Sequence, residues 1–167
     1  MKRISARQTR PNTDDPYEQK PGESEDSYMD RRYEHHHKDY IKAQPDWAKL
    51  KDKLLSIGGS KIAMVLEEDM EKLLSRGKSW PVSNIRLMKG APISCHSNAA
   101  NLYEQNPKTS SIVTGWALGP NDEIWRQHTW LWFKPRKQLI ETTSKRKAYF
   151  GFELNQSEAM EFCENNY

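Results

Sequence analysis

The sequence predicts an α+β fold in which N-terminal helices precede a small antiparallel sheet, with a disordered arm before both. Three observations support this prediction. Apolar residues recur at helical spacing from residue 45 onward, alternating β-type runs begin at residue 110, and residues 1–42 contain almost no aliphatic side chains. We therefore expect residues 1–42 to be the disordered arm and residues 43–167 to form a single α+β domain.

Composition and charge narrow the class of protein. The chain has 167 residues, a formal net charge of +3 and a mean hydropathy of −0.98. This charge is too small to indicate nucleic-acid binding by itself. No apolar run approaches the ~18 residues of a membrane span, and "MKRISARQTR" lacks the apolar stretch of a secretory signal. We expect a cytoplasmic protein with reduced cysteines, no cofactor and no membrane contact.

The predicted arm contains a run of three histidines, His35 to His37, within "EHHHK". Clustered histidines sometimes hold a metal ion. A polar stretch of a flexible tail is the simpler interpretation, and metal binding stays open as the alternative.

Two helices are expected at the start of the domain. The first follows Pro45 and stops at Gly58, and its apolar positions are Trp47, Leu50, Leu54 and Ile57. The second is expected between Ser60 and Gly77, again with one apolar side. Residues 78–92 contain two prolines and a glycine, which is typical of an irregular connector.

The pattern changes from residue 94 onward. A third helix is expected to begin at Cys95, with Ser94 as its cap and Pro107 after its end. Four β-type runs follow at residues 110–118, 123–133, 138–143 and 148–154, separated by turn-like segments. A short helix near Ser157 closes the chain, so the sheet is predicted to be an antiparallel meander.

Cys95 is the residue around which a reaction is predicted. The first turn of a helix lowers the pKa of a thiol, because unpaired backbone N–H groups and the helix dipole stabilise the thiolate. An inert buried cysteine is the alternative, and Cys163 beside Phe162 is interpreted in that way. A nucleophilic cysteine also needs a base and a group that orients the base.

His128 is the predicted base. In the run 124–133 it shares one face of a strand with Trp130 and Trp132, whose rings would shield it from water. Such an imidazole can accept the thiol proton, or pair as imidazolium with the thiolate. Trp130 is also a candidate for the wall of a substrate groove. His96 would point about 100° away from Cys95 on a helix, towards substrate or solvent.

Glu141 is predicted to orient His128. A hairpin turn centred on Pro135 and Arg136 places His128 opposite Thr143 and makes Glu141 its diagonal neighbour on the same face. A three-residue loop would instead turn Glu141 to the opposite face. The register of this hairpin therefore decides whether the side chains can meet.

The order of these residues resembles the papain-like and transglutaminase-like cysteine hydrolases, of the type found in short bacterial and phage proteins. The resemblance covers residues 94–143 and implies a papain-like or transglutaminase-like core. It implies that Cys95 attacks an acyl carbon, that His128 carries the proton and that Glu141 holds the imidazole. The implied reaction is hydrolysis of, or acyl transfer from, an amide or thioester bond, with a protein or peptide as the substrate.

The chain departs from the papain pattern just before the nucleophile. That pattern has a glutamine that binds the oxyanion, whereas the residues before Cys95 read "MKGAPIS". We therefore expect the backbone N–H of Cys95 to be one oxyanion donor and the side chain of Trp80 or Asn84 to be the other. Asn98, three residues after the cysteine, is a further candidate for the cleft.

Two other classes of function stay open. A zinc site would use the three predicted catalytic residues with His96, although no CxxC, HxxxH or HExxH spacing supports it. A non-catalytic module would bind a protein partner, or would grip a nucleic-acid backbone with the basic turns "KPRK" and "SKRK".

Overall fold

The computed structural model describes residues 17–166, which form five α-helices and seven β-strands. The helices are α1 (Glu25–Ala43), α2 (Asp46–Ile57), α3 (Met70–Arg76), α4 (Cys95–Gln105) and α5 (Gln156–Asn165). The strands are β1 (Lys61–Ile62), β2 (Lys78–Trp80), β3 (Ile85–Leu87), β4 (Ser110–Leu118), β5 (Ile124–Phe133), β6 (Gln138–Glu141) and β7 (Ala148–Glu153). The predicted combination of helices with a sheet is confirmed.

The sheet is mixed rather than antiparallel as predicted. Its order is β2-β7-β4-β5-β6-β3, and β1 pairs with β5. Four pairs of neighbouring strands are antiparallel: β2 with β7, β7 with β4, β4 with β5, and β5 with β6. Strand β3 runs parallel to β6, and β1 runs parallel to β5. Both parallel strands precede α4 in the chain, so each has the long connection that parallel pairing requires. The predicted meander also ends at β6, because β7 returns to pair with β4.

Helix α1 corrects the prediction that residues 1–42 form a disordered arm. The helix is capped by Ser24, whose side chain accepts a hydrogen bond from the Ser27 N–H at 3.3 Å. Two acidic residues occupy its first turn, where they complement the helix dipole. The first part of the predicted arm, residues 1–16, lies outside the described residues.

Aromatic side chains attach α1 to the rest of the fold. The Tyr33 hydroxyl accepts a hydrogen bond from the Ile62 N–H at 2.9 Å and donates one to the Ile62 C=O at 3.1 Å. His37 packs edge-on against Trp47, with ring centroids 5.3 Å apart. The scarcity of aliphatic residues misled the prediction, because this helix is held by rings with polar tips instead.

The predicted second helix is much shorter than expected. Only α3 is helical, because β1 and an irregular segment over residues 63–69 occupy the start of the predicted range. The Tyr40 hydroxyl donates to the Met64 C=O at 3.0 Å, and the Trp47 indole N–H donates to the Val65 C=O at 3.2 Å. These hydrogen bonds occupy carbonyl groups that a helix would use, so tertiary packing overrides the helical spacing.

The other predicted elements are present with small differences in their bounds. They are α2, α4, α5 and the four strands β4 to β7. The connector over residues 78–92 was predicted to be irregular, yet it contributes β2 and β3 to the two ends of the sheet. Strands of three residues carry too little alternation to be visible in the sequence.

The sheet has two buried faces. One face packs against the helices in the main core, whose largest side chains are Trp47, Trp116, Trp125, Phe150 and Phe152. The other face, here called the concave face, is a cluster to which only strands contribute: Trp80, Val113, Ala117, Trp130, Leu139 and Tyr149. His128 precedes Trp130 by two residues and Glu141 follows Leu139 by two, so both belong to the concave face.

One edge of β5 is open beside α4. On the first edge, β4 pairs with β5 over residues 125–133. On the second edge, β1 pairs at residues 124–125 and β6 at residues 131–133. Within the described chain no strand covers residues 126–130 on that second edge. The N-terminus of α4 lies against this opening, which positions the candidate site.

Candidate active site

Cys95 is the first residue of α4. The hydroxyl of Ser94, the residue before the helix, donates to the Pro92 C=O at 3.1 Å and does not cap the helix. The first N–H groups of a helix have no acceptor within the helix, and no side chain caps them in α4. Ile93 has a φ of 61°, which is unfavourable for a β-branched residue. It is 99% exposed at the rim of the cleft.

The thiol reaches the concave face through the open edge of β5. Helix α4 buries Ala99 and Ala100 in the main core, on the opposite side of the sheet from His128. The backbone of Thr129 and the side chain of His128 both interact with the Cys95 thiol, and both lower its pKa. A strand paired along this edge would have separated the sulfur from the imidazole.

The hairpin register predicted from the turn is present. Phe133 pairs with Gln138, which places Glu141 on the concave face with His128. The two carboxylate oxygens of Glu141 lie 3.1 and 2.9 Å from His128 Nε2. Since Nε2 faces the carboxylate, Nδ1 is the ring nitrogen that remains to face the thiol.

Glu141 is completely buried, and four donors satisfy its carboxylate. Besides His128, Thr143 donates its backbone N–H at 2.8 Å and its hydroxyl at 2.9 Å to Oε1. The Tyr149 hydroxyl donates to Oε2 at 2.8 Å. Because a buried charge is tolerated only when it is paired and hydrogen-bonded, these contacts keep the carboxylate ionised and fix the direction of the imidazole.

The pKa values of the three groups shift towards an ion pair. Burial alone would raise the pKa of Cys95, but the hydrogen bond and charge of His128 lower it. Burial alone would lower the pKa of His128, but hydrogen bonds to Cys95 and Glu141 raise it to about 9. Burial also opposes ionisation of Glu141, yet the His128 hydrogen bond lowers the pKa of that carboxyl. These directions favour a thiolate beside an imidazolium.

A cavity of about 530 Å³ opens in front of the sulfur. Both Cys95 and His128 line it, so the reacting groups are accessible to a ligand. Its lining also includes three basic side chains, Lys89, Arg126 and Arg146, and no acidic residue of the described chain. We call this cavity the basic cleft.

Trp80 and Asn84 are not placed as the predicted oxyanion donors. The Trp80 indole N–H donates to the Gly151 C=O at 2.9 Å, and the Asn84 amide donates to the Arg136 C=O at 3.2 Å. Neither residue lines the basic cleft. The prediction failed because both belong to the segment that forms β2 and β3, which pair at the ends of the sheet.

Asn98 holds the segment before the nucleophile rather than lining the cleft. Its amide donates to the Ala91 C=O at 2.8 Å and accepts from the Ala91 N–H at 3.0 Å. A Cβ on Gly90 would lie 2.4 Å from that amide, so only glycine permits this approach. Asn98 therefore fixes how the chain enters α4.

His96 and Trp130 both lie outside the lining of the basic cleft. His96 lines a second cavity of about 520 Å³ and packs against Phe162, with ring centroids 5.8 Å apart. Burial and the charge of His128 lower the pKa of His96. Trp130 is 0% exposed and stacks on His128 at 6.3 Å. It supports the imidazole and does not form a groove wall.

Three contributors to the site were missed by the sequence analysis: the Thr129 N–H, the Tyr149 hydroxyl and the Arg146 side chain. Tyr149 lies on β7, which β4 and β5 separate from β6, so it meets Glu141 only through the curvature of the sheet. Arg146 belongs to the basic turn "SKRK", which was the one visible signal and was considered only as a contact for a nucleic-acid backbone.

Among residues 17–166, no group of three or more His, Cys, Asp or Glu side chains is arranged to hold a metal ion. In the same range, no helix combines the length and the hydrophobicity needed to cross a membrane. Comparisons of the chain with protein-family models, with curated proteins and with solved structures found no match. The candidate site is therefore interpreted from its geometry alone.

Proposed function

We propose that this protein is a cysteine hydrolase or acyl transferase that acts on an amide or thioester bond of a protein or peptide. Cys95 is the nucleophile, His128 the acid and base, and Glu141 the orienting carboxylate, within a papain-like or transglutaminase-like core. The supporting observation is that Cys95 and His128 line one cavity, that His128 lowers the pKa of the thiol, and that Glu141 Oε2 lies 2.9 Å from His128 Nε2. A protein that only binds has no need for a buried carboxylate behind an imidazole, because such a group is costly to bury.

Acylation follows from the protonation states that the site favours. The Cys95 thiolate attacks the carbonyl carbon, a C–S bond forms, and the carbonyl electrons move to oxygen. When the C–N or C–S bond to the leaving group breaks, His128 Nδ1 donates its proton to that nitrogen or sulfur. The products are a thioester on Cys95, a neutral imidazole and the released amine or thiol.

Backbone N–H groups are the assigned oxyanion donors. The first is the N–H of Cys95, which has no acceptor within α4. The second is the N–H of Gln127, because N–H groups two residues apart on a strand point the same way and the Thr129 N–H already faces the sulfur. Preorganised donors of this kind stabilise the tetrahedral intermediate, each by roughly 3 kcal/mol.

Deacylation uses the same residues in the reverse roles. Neutral His128 removes a proton from water, the oxygen attacks the thioester carbon, and the thiolate leaves as the acid product forms. An amine in place of water gives acyl transfer instead. Both cysteines are free thiols, so we place this reaction in a reducing compartment such as the cytoplasm.

The proposal is tested by alkylation and by trapping of the acyl-enzyme. Iodoacetamide at neutral pH should label Cys95 faster than Cys163, whose thiol is buried and whose pKa burial raises. A panel of peptide amides and thioesters should then yield a mass adduct on Cys95 that is absent from Cys95→Ala. Equal labelling of the two cysteines at the rate of free cysteine would reject the proposal and leave a non-catalytic binding module.

A further inference from the structure

The basic cleft carries positive charge that the bond-breaking steps do not require. Of its three basic side chains, Arg126 forms an ion pair with Asp122 at 2.6 Å. Within residues 17–166, neither Lys89 nor Arg146 forms an ion pair, although both line the cavity that contains Cys95. Two cations without an ion-pair partner therefore line the cavity that contains the sulfur.

Arg146 is the more constrained of these two cations. Its Nε is buried and has no hydrogen-bond partner, and its Nη2 lies 3.4 Å from Thr143 Oγ1, which is long for a hydrogen bond. The backbone N–H of Arg146 is bonded to the Tyr149 hydroxyl at 3.1 Å, so the turn that carries the side chain is anchored to the site. A partly buried guanidinium with unused donors is suited to a planar anion.

Positive charge is not a general property of the surface around α4. The second cavity, which His96 lines, contains one lysine, Lys72. Its acidic residues are Glu67, Glu68, Asp69, Glu158 and Glu161. The linings of the two cavities therefore carry opposite charge, and the sulfur opens into the positive one.

We propose that the substrate carries a carboxylate next to the bond that Cys95 attacks, and that Arg146 binds this carboxylate while Lys89 adds attraction. The identity of the attacked bond rests on the proposed function, whereas the preference for an anion rests only on the cleft. An acidic side chain beside the scissile bond and a free C-terminal carboxylate both have this chemistry. Arg146 is a specificity residue in this assignment.

Two alkylating reagents of nearly equal size test the preference without a known substrate. Iodoacetate carries the carboxylate and iodoacetamide does not, so the ratio of their rates at Cys95, divided by the same ratio for free cysteine, measures attraction of an anion. We expect a normalised ratio of about ten in the native protein, equivalent to ~1.4 kcal/mol, which is close to the attraction between unit charges a few ångströms apart in bulk water. Added salt should lower it.

The variants identify the residue responsible. Arg146→Gln should lower the normalised ratio about fivefold, Arg146→Lys should retain most of it, and Lys89→Gln should lower it less. Arg136→Gln removes the same charge from the exposed β5–β6 turn and should leave the ratio as it is. A native ratio near one, or equal ratios for Arg146→Gln and Arg136→Gln, would overturn the inference.

The same data separate this inference from the proposed function. Slow alkylation of Cys95 by iodoacetamide, at the rate of free cysteine, contradicts the thiol enzyme but leaves the ratio measurable. Fast alkylation with a ratio near one contradicts the anionic substrate and leaves the enzyme intact. Peptides that differ only in an acidic side chain or in a free as against amidated C-terminus then distinguish the two sources of the carboxylate.

Discussion

Two cavities of similar size flank the first turn of α4, and adjacent residues of that turn line them. The basic cleft, about 530 Å³, contains Cys95, and the acidic cavity, about 520 Å³, contains His96. Gln127 contributes to both. Both cavities border the same helix terminus and both have a similar volume. These two features therefore do not explain why the thiol and the imidazole meet only in the basic cleft.

Two buried glutamates show the difference: Glu141 lies behind His128, and Glu67 lines the acidic cavity. Glu141 accepts a hydrogen bond from His128, which also contacts the thiol. Glu67, 7% exposed, accepts from the neutral N–H groups of Trp116 at 2.7 Å and of Gln127 at 3.1 Å. A buried carboxylate contributes to a reaction only when its donor can change protonation state and reaches the reacting atom. The comparison teaches that the hydrogen-bond donors of the buried carboxylate define the site. Burial and a position beside a helix terminus do not.

The largest expected effect comes from removing the two adjacent residues separately. Cys95→Ala should abolish turnover, by about 10⁴-fold or more, because no other thiol lies at the open edge. His96→Ala should change the rate by about threefold at most, since His96 lies in the acidic cavity. Turnover of the substrate that forms the mass adduct on Cys95 is measured for both variants. Loss of activity in His96→Ala, with activity retained in Cys95→Ala, would place the reaction in the acidic cavity instead of the basic cleft.

The next effect compares the two buried glutamates. Glu141→Gln should lower turnover roughly 10³-fold, because an amide oxygen no longer stabilises the imidazolium. Glu67→Gln should lower stability by about 1–3 kcal/mol through its lost hydrogen bonds and leave the alkylation rate of Cys95 near that of the native protein. Turnover is measured for both variants, urea unfolding reports their stability, and alkylation kinetics report the reactivity of Cys95. A similar loss of reactivity in both variants would contradict the comparison.

The pH dependence of the reaction should be bell-shaped. Turnover rises as the Cys95 thiol ionises, and this occurs at lower pH than for a free thiol because its pKa is lowered. Turnover falls as His128 loses its proton, which its raised pKa places near pH 9. Because the thiolate persists above pH 9, alkylation should not fall there. Since the two groups are coupled, the limbs report the pair.

A pair of variants tests whether His128 causes the fall in turnover at high pH, here called the alkaline limb. Glu141 is one cause of the raised His128 pKa, so Glu141→Gln should move that limb to lower pH, whereas Glu67→Gln should leave it in place. A turnover profile that rises and then stays flat beyond pH 9 in the native protein would contradict a role for protonated His128.

The smallest expected effect concerns the support of Glu141. Tyr149→Phe removes one of four donors to the carboxylate and should lower turnover about tenfold, equivalent to one hydrogen bond of about 1.4 kcal/mol. The alkaline limb should move less than in Glu141→Gln, because the carboxylate remains. Tyr103→Phe, a half-buried tyrosine of α4, is the matched control. A loss as large as that of Glu141→Gln would assign a greater role to Tyr149.

Much of the site could be predicted because the contact between His128 and Glu141 depends on residues that are close in sequence. His128 and Glu141 belong to strands joined by one tight turn, and alternation along those strands places both on one face when the register is as observed. The expected donors Trp80 and Asn84 could not be placed in this way. Trp80 ends β2 and Asn84 directly precedes β3. These strands pair with β7 and β6, which are far along the chain, and three-residue strands leave no pattern.

The helical part shows the same limit. Helix α2 follows its apolar spacing, whereas the predicted second helix lost its first part to hydrogen bonds from Tyr40 and Trp47. Helix α1 was missed because its anchors are aromatic and polar rather than aliphatic. Local propensity decides an element only where no distant group competes for its backbone.

The amino-acid order by itself determined that a cysteine begins a helix and that a histidine and a glutamate share the face of a hairpin, because turns and periodicity act over a few residues. Tertiary structure alone decided that the sulfur meets the imidazole. That contact requires the edge of β5 to stay open between β1 and β6, and the pairing of strands from distant parts of the chain is set by three-dimensional packing.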